Sequence, residues 1–163
     1  MAEPKDPARR AKRLALALVG GLLLVAVPYG FLASRTYRDF SDYVKATLED
    51  PAHPPAWRSA ALSPEACVDA GVRWVDGCPG EAVFCEGGFR RVVRECMAAG
   101  ERGEWCDAQD RGWASTHFGF AVCEAKVAAE PDKVQAKLQD KYCAAGYRVL
   151  ADVCKARAAE AGR

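Results

Sequence analysis

The side chains in this chain with the capacity for chemistry are eight cysteines, two histidines and an evenly spaced acidic run. A thiolate can act as nucleophile, metal ligand or disulfide partner, and spacing separates these uses. The cysteines are Cys67, Cys78, Cys85, Cys96, Cys106, Cys123, Cys143 and Cys154, within one stretch of 88 residues whose closest pair is seven apart. No C-x-x-C occurs, so a thioredoxin-type centre, a haem attachment site and the short Cys pairs of zinc ribbons are all unsupported. An even count confined to one segment is the pattern of a disulfide framework, and all eight are expected to be structural bridges.

His117 follows Ser115 and Thr116 and lies between Cys106 and Cys123 in sequence. A Cys/His nucleophile there would need one thiol to stay reduced. A partly exposed histidine at a helix start, among paired cysteines, is the simpler reading. His53 has only Asp50 near it as a ligand-type neighbour. Glu101, Glu104, Asp107 and Asp110 recur every third residue, but the glycine and final glutamate of an EF-hand are missing. That run, balanced by Arg102 and Arg111, reads as a solvated loop, and Arg90, Arg91 and Arg94 read as the exposed face of a helix. No G-x-S-x-G, P-loop or dinucleotide fingerprint occurs. No catalytic residue, cofactor or metal ligand is therefore assigned.

The elements that carry these residues begin with an apolar run. Residues 14–34 hold no charge and would span roughly 31 Å as a helix, about one hydrocarbon core. Five basic residues precede the run, while Arg35, Arg38 and Lys45 follow it closely. The positive-inside rule then makes residues 1–13 a cytoplasmic basic tail, with the rest of the chain outside. A cleaved signal peptide would need a shorter apolar core and an A-x-A-like site, and Leu32-Ala33-Ser34 matches that poorly. An uncleaved anchor is the expectation. Ala17/Gly21 and Ala26/Gly30 are small-residue pairs that would admit a second helix, a common pattern in such compositions.

Tyr37, Phe40, Tyr43, Val44 and Leu48 recur at helical spacing, so residues 35–50 read as an amphipathic juxtamembrane helix. It serves either as a plain stalk or, through Tyr37, Phe40 and Tyr43, as a docking stripe for a partner. Pro51, Pro54 and Pro55 end it and make residues 51–62 a Pro-rich linker or wrapped connection. The Cys-rich domain, 63–160, opens at Ser63-Pro64 with a cap and a first-turn proline. Gly71 and Asp76-Gly77 are expected to limit this first helix, and a second runs from Phe89 to about Ala99. A third is expected from Ser115 or Thr116 to about Ala129, and a long one from Pro131 to about Ala159. Val72–Val75 and Val83-Phe84 look strand-like but are too short for a sheet. The fold class is mainly α, one N-terminal transmembrane helix plus a small disulfide-stapled helical domain.

Cys143 and Cys154 stand eleven apart on that last helix, and eleven steps of about 100° return to within ~20° of one face. Being roughly 16 Å apart, they cannot bond to each other and must clamp the helix to two different elements. Cys67/Cys78 and Cys85/Cys96 repeat the step, though glycines interrupt both. The domain needs such staples because it is lean, with three leucines from Trp57 onward to offset an ordering cost of about 1–2 kcal/mol per residue. Trp57, Trp74, Trp105 and Trp113 are expected to supply much of its core.

From Trp57 to the C-terminus 15 basic residues face 16 acidic ones, which argues against nucleic acid as partner. The reading that remains is a non-enzymatic extracytoplasmic module that binds or braces another membrane or envelope protein. The bacterial periplasm is the expected location and the mitochondrial intermembrane space the minor one. The alternative is a small hydrolase-like envelope enzyme with a site that matches no motif.

Overall fold

The computed structural model describes residues 7–59 and 62–162, and every regular element among them is helical. Helix α1, Pro7–Val44, is 38 residues long and passes without a break into a π-helical turn, Lys45–Glu49. Residues 1–6 of the basic tail lie outside the described residues. No residue from 15 to 34 is buried against the rest of the chain. A helix apolar around its whole circumference needs an apolar surrounding, and α1 is long and apolar enough to cross a membrane. Those properties suit an anchor and a signal sequence alike.

Beyond α1 come α2 (Ala56–Ser59), α3 (Pro64–Asp76), α4 (Ala82–Ala98) and α5 (Gly103–Ala108). A 3-10 turn at Gly112–Ala114 then leads to α6 (Phe120–Ala129) and α7 (Lys133–Ala161). Ser63 caps α3 by accepting from the Ala66 amide at 3.2 Å, with Pro64 in the first turn. Asp132 caps α7 by accepting from the Val134 and Gln135 amides.

Three boundaries differ from the sequence reading. Gly71 lies inside α3, because a Cβ there would come within 2.8 Å of Phe89 and Val93; its bare backbone is where α4 approaches. Helix α4 starts at Ala82 instead of Phe89, and the strand-like Val83-Phe84 is its first turn. Helix α6 starts at Phe120, after Gly119 at φ 77°. Ser115 caps only a turn, accepting from the His117 amide at 3.1 Å. Left-handed Gly119 turns the chain beneath Tyr147, whose ring would overlap any Cβ at that position.

The core lies where α3 and α4, an antiparallel hairpin, meet α7. Val68, Phe89, Val92, Val93, Leu150 and Met97 are all but fully enclosed. Phe89 packs on Tyr142 at 5.1 Å between ring centroids. Trp57 and Trp74 are buried in this core, whereas Trp105 and Trp113 are only half-buried. The buried set also includes Leu48 and Trp57, from the segments read as juxtamembrane helix and linker. The chain thus folds back after the prolines so that α2 packs on α4.

The four bridges are Cys67–Cys96, Cys78–Cys85, Cys106–Cys154 and Cys123–Cys143. They form two nested sets that never cross. In the first, α4 places Cys85 and Cys96 three turns apart on one face, Cys67 sits in the first turn of α3, and Cys78 follows just past the C-cap of α3, so the antiparallel hairpin is pinned at both ends. The eleven-residue step carries meaning here despite the glycines. In the second set, α7 is the intact rail, and its partner rail is broken into α5 and α6. Cys143 and Cys154 do reach different elements. No bridge joins one set to the other; packing of α7 on α3 and α4 does that, with Gly146 set against Val68.

Candidate functional site

All eight sulfurs are paired and no free cysteine remains, so His117 has no thiol to activate. His117 is exposed and its ring faces Phe120 at 6.3 Å. His53 meets Asp50 at 3.0 Å. Of the acidic run, Glu101 lies 3.9 Å from Arg157. Among the described residues, no three His, Cys, Asp or Glu side chains converge as metal ligands.

The arrangement with most structure behind it is the junction between α1 and the domain. Tyr43 donates its hydroxyl to the Trp74 carbonyl at 2.7 Å. The Trp74 indole N–H donates to Thr47 Oγ1 at 2.8 Å, and Thr47 in turn donates to the Tyr43 carbonyl at 2.7 Å. Two residues one turn apart, Tyr43 of α1 and Thr47 of the π-helical turn, therefore hold both the main chain and the side chain of one tryptophan. The rings of Tyr43 and Trp74 lie 5.1 Å apart, and the indole covers Gly88 of α4. Lower on α1, Phe40 stacks on Phe84 at 5.4 Å, and Tyr37 meets the same ring edge-on at 5.8 Å. Gly77 and Gly80 leave room for Tyr43 and Phe40 at the α3–α4 turn.

Of the three aromatic residues read as partner contacts, Phe40 and Tyr43 are half-buried against the chain's own domain, while Tyr37 remains largely exposed. The spacing alone marked their shared face but could not say what covers it.

An ion-pair chain extends the junction. Arg91 of α4 binds Glu49 at 2.8 Å and Glu95 at 2.7 Å, and Glu95 also binds Arg58 of α2 at 2.7 Å. The hydrogen bonds that Arg91 donates to Glu49 and Glu95 raise its pKa. Partial burial works against the Glu95 carboxylate, but the Arg58 and Arg91 hydrogen bonds outweigh it and leave its pKa lowered. Arg91 is thus a tie between three segments, a role that its place in a basic cluster concealed. A groove of about 290 Å³ lies along this seam, lined by Phe40, Val44, Leu48, Phe84, Gly88 and Arg91 among others.

Comparison with protein-family models, curated proteins and solved structures finds no match. The function must be read from this geometry alone.

A second depression, about 340 Å³ and more polar, is lined by Asp69, Arg73, Lys126, Glu130 and Gln139. Lys126 pairs with Asp69 across it, and neither a thiol nor a histidine faces it. Nearby, Tyr147 is buried and its hydroxyl has no partner among the described residues. Burial, reinforced by Glu65 and Asp69, pushes this phenol up to about 12. The folded state holds the proton longer than the unfolded chain, whose tyrosine titrates near 10. This stabilising contribution is complete below pH 10 and disappears as pH rises through 12. Tyr147→Phe should therefore keep or raise stability at neutral pH, since it removes an unpaired polar group. Urea titrations of this variant should also show a smaller loss of stability between pH 10 and 12 than those of the parent. A variant that loses as much as the parent across that window would show that another group titrates there.

Proposed function

We propose that the chain is a single-pass membrane protein with a cytoplasmic N-terminus and an extracytoplasmic, most simply periplasmic, domain. It acts as a non-enzymatic module that binds or braces another membrane or envelope protein. The observation that carries this reading is the junction of α1 with the domain. A protein that needs only a tether can use a flexible linker, whereas here two hydrogen bonds, three aromatic pairs and an ion-pair chain lock domain to helix. Such a joint fixes the height and direction of the domain, which is what a brace requires. The four bridges support an oxidising compartment, and the basic residues before the apolar run support the orientation.

Phe120 and Val122 in the first turn of α6 are exposed, and we assign partner contact there. The test is purification of the full chain from its native membranes in mild detergent. An envelope protein is expected to co-purify in stoichiometric amount. Phe120→Ser combined with Val122→Ser should lose it while all eight cysteines stay blocked to alkylation. A wild-type chain that elutes alone would overturn the reading.

A further inference from the structure

We propose that the α3–α4 turn and the first turn of α4 seat in the headgroup layer of the outer leaflet, so that the domain rests on the bilayer through Val83, Phe84 and Tyr37. This rests on the anchor reading above and adds a second membrane contact to it. Two contacts fix how α4 lies along α1. Phe84 meets Tyr37 and Phe40 at 5.8 and 5.4 Å, and Arg91 meets Glu49 at 2.8 Å. Residue numbers rise together on both helices, so α4 runs parallel to α1 and its N-terminus is the end nearest the apolar run.

Height follows from helical rise. The apolar run ends at residue 34, so Tyr37 and Phe40 stand about 4.5 and 9 Å beyond it at ~1.5 Å per residue. The headgroup layer occupies roughly the first 5–8 Å outside the hydrocarbon. Phe84 shares the level of Tyr37 and Phe40, and Val83 lies one residue nearer the end of α4. Val83 is 69% exposed and Tyr37 55% exposed. Apolar and aromatic side chains at this depth are favoured in the interface, while in water they would stand uncovered. Arg35 and Arg38 flank the same level, where their long stems let the charged heads reach lipid phosphates. Because the Tyr43–Trp74–Thr47 clasp holds the domain against α1, the patch cannot swing away from the surface without breaking it.

The test uses the full chain in vesicles of phosphatidylethanolamine and phosphatidylglycerol. Photoreactive p-benzoylphenylalanine replaces Val83, Phe120 or Leu23, one at a time. Phe120 is as exposed as the patch, at 62%, but follows Gly119, which lies beneath Tyr147, about 18 Å along α7 from Gln135, which meets Asp76 beside the α3–α4 turn. After irradiation, mass spectrometry should find lipid adducts at position 83 several times more often than at position 120, with abundant adducts at position 23. Equal yields at 83 and 120 with strong labelling at 23 would overturn the seating and leave the anchor intact. An absence of lipid at 23 would overturn both. Protein adducts at 83 would replace the lipid with a polypeptide occupant and overturn this proposal too.

Discussion

Replacing Trp74 with alanine is expected to lower the unfolding free energy by about 3–5 kcal/mol, the usual cost of removing a buried aromatic from a core. The loss has two parts. The indole fills the space where α1, α3 and α4 meet, beside Tyr43 and over Gly88. Its N–H also satisfies Thr47, which is back-bonded to the Tyr43 carbonyl. Trp74→Phe separates these parts, because it keeps much of the packing and removes one hydrogen bond worth about 1 kcal/mol. Chemical denaturation of the detergent-solubilised protein reads both values. Hydrogen exchange supplies the second readout: amides of residues 40–49 should lose protection in Trp74→Ala more than those of α7. An alanine variant within 1 kcal/mol of the parent, the net worth of about one hydrogen bond, would mean that the junction is held elsewhere.

The second large effect is expected at the outer rung of the second ladder. Cys106 and Cys154 are 48 residues apart, but with Cys123–Cys143 intact the loop they close shortens to roughly 29 residues. The chain-entropy relation then gives about 3.6 kcal/mol for removing Cys106–Cys154 as a double alanine variant. Cys78–Cys85, separated by seven residues, should cost only about 2.4 kcal/mol by the same relation. Urea midpoints of the two double variants should therefore fall in that order. A Cys78/Cys85 variant as unstable as the Cys106/Cys154 one would show that the short bridge acts through native packing.

The helical class, the bridging of every cysteine and the apolar N-terminal helix were all legible from residue spacing. So was the division of Cys143 and Cys154 between two elements, since a rigid helix places them too far apart to meet. Glycine misled the reading of α3 and α4. Gly71, Gly87 and Gly88 carry weak helix propensity, yet all three lie inside helices, and the bare backbone at Gly71 and Gly88 lets Phe89 and Trp74 close on it. Tertiary packing overrides local preference at those positions, and no periodicity announces it. The junction stayed hidden for another reason. Phe40, Tyr43, Val44 and Leu48 form the same stripe whether it covers a partner, a lipid surface or the chain's own domain. Arg91 was masked in the same way by its basic neighbours. Its partners Glu49 and Glu95 lie 42 and four residues away, and only the fold brings both to it.

The nesting of the bridges bears on how the protein is made. Each ladder has an inner pair that is adjacent in cysteine order and an outer pair that must wait for a later residue. When Cys78 emerges from the ribosome or translocation pore, Cys67 is the only thiol already present, and joining these two would be a mistake. Helix α3 opposes it, because it carries Cys67 in its first turn and delivers Cys78 two residues past its last, about three turns away. Secondary structure thus acts as a proofreader for oxidation, and the first ladder can be completed as soon as Cys96 arrives, before any cysteine of the second has emerged.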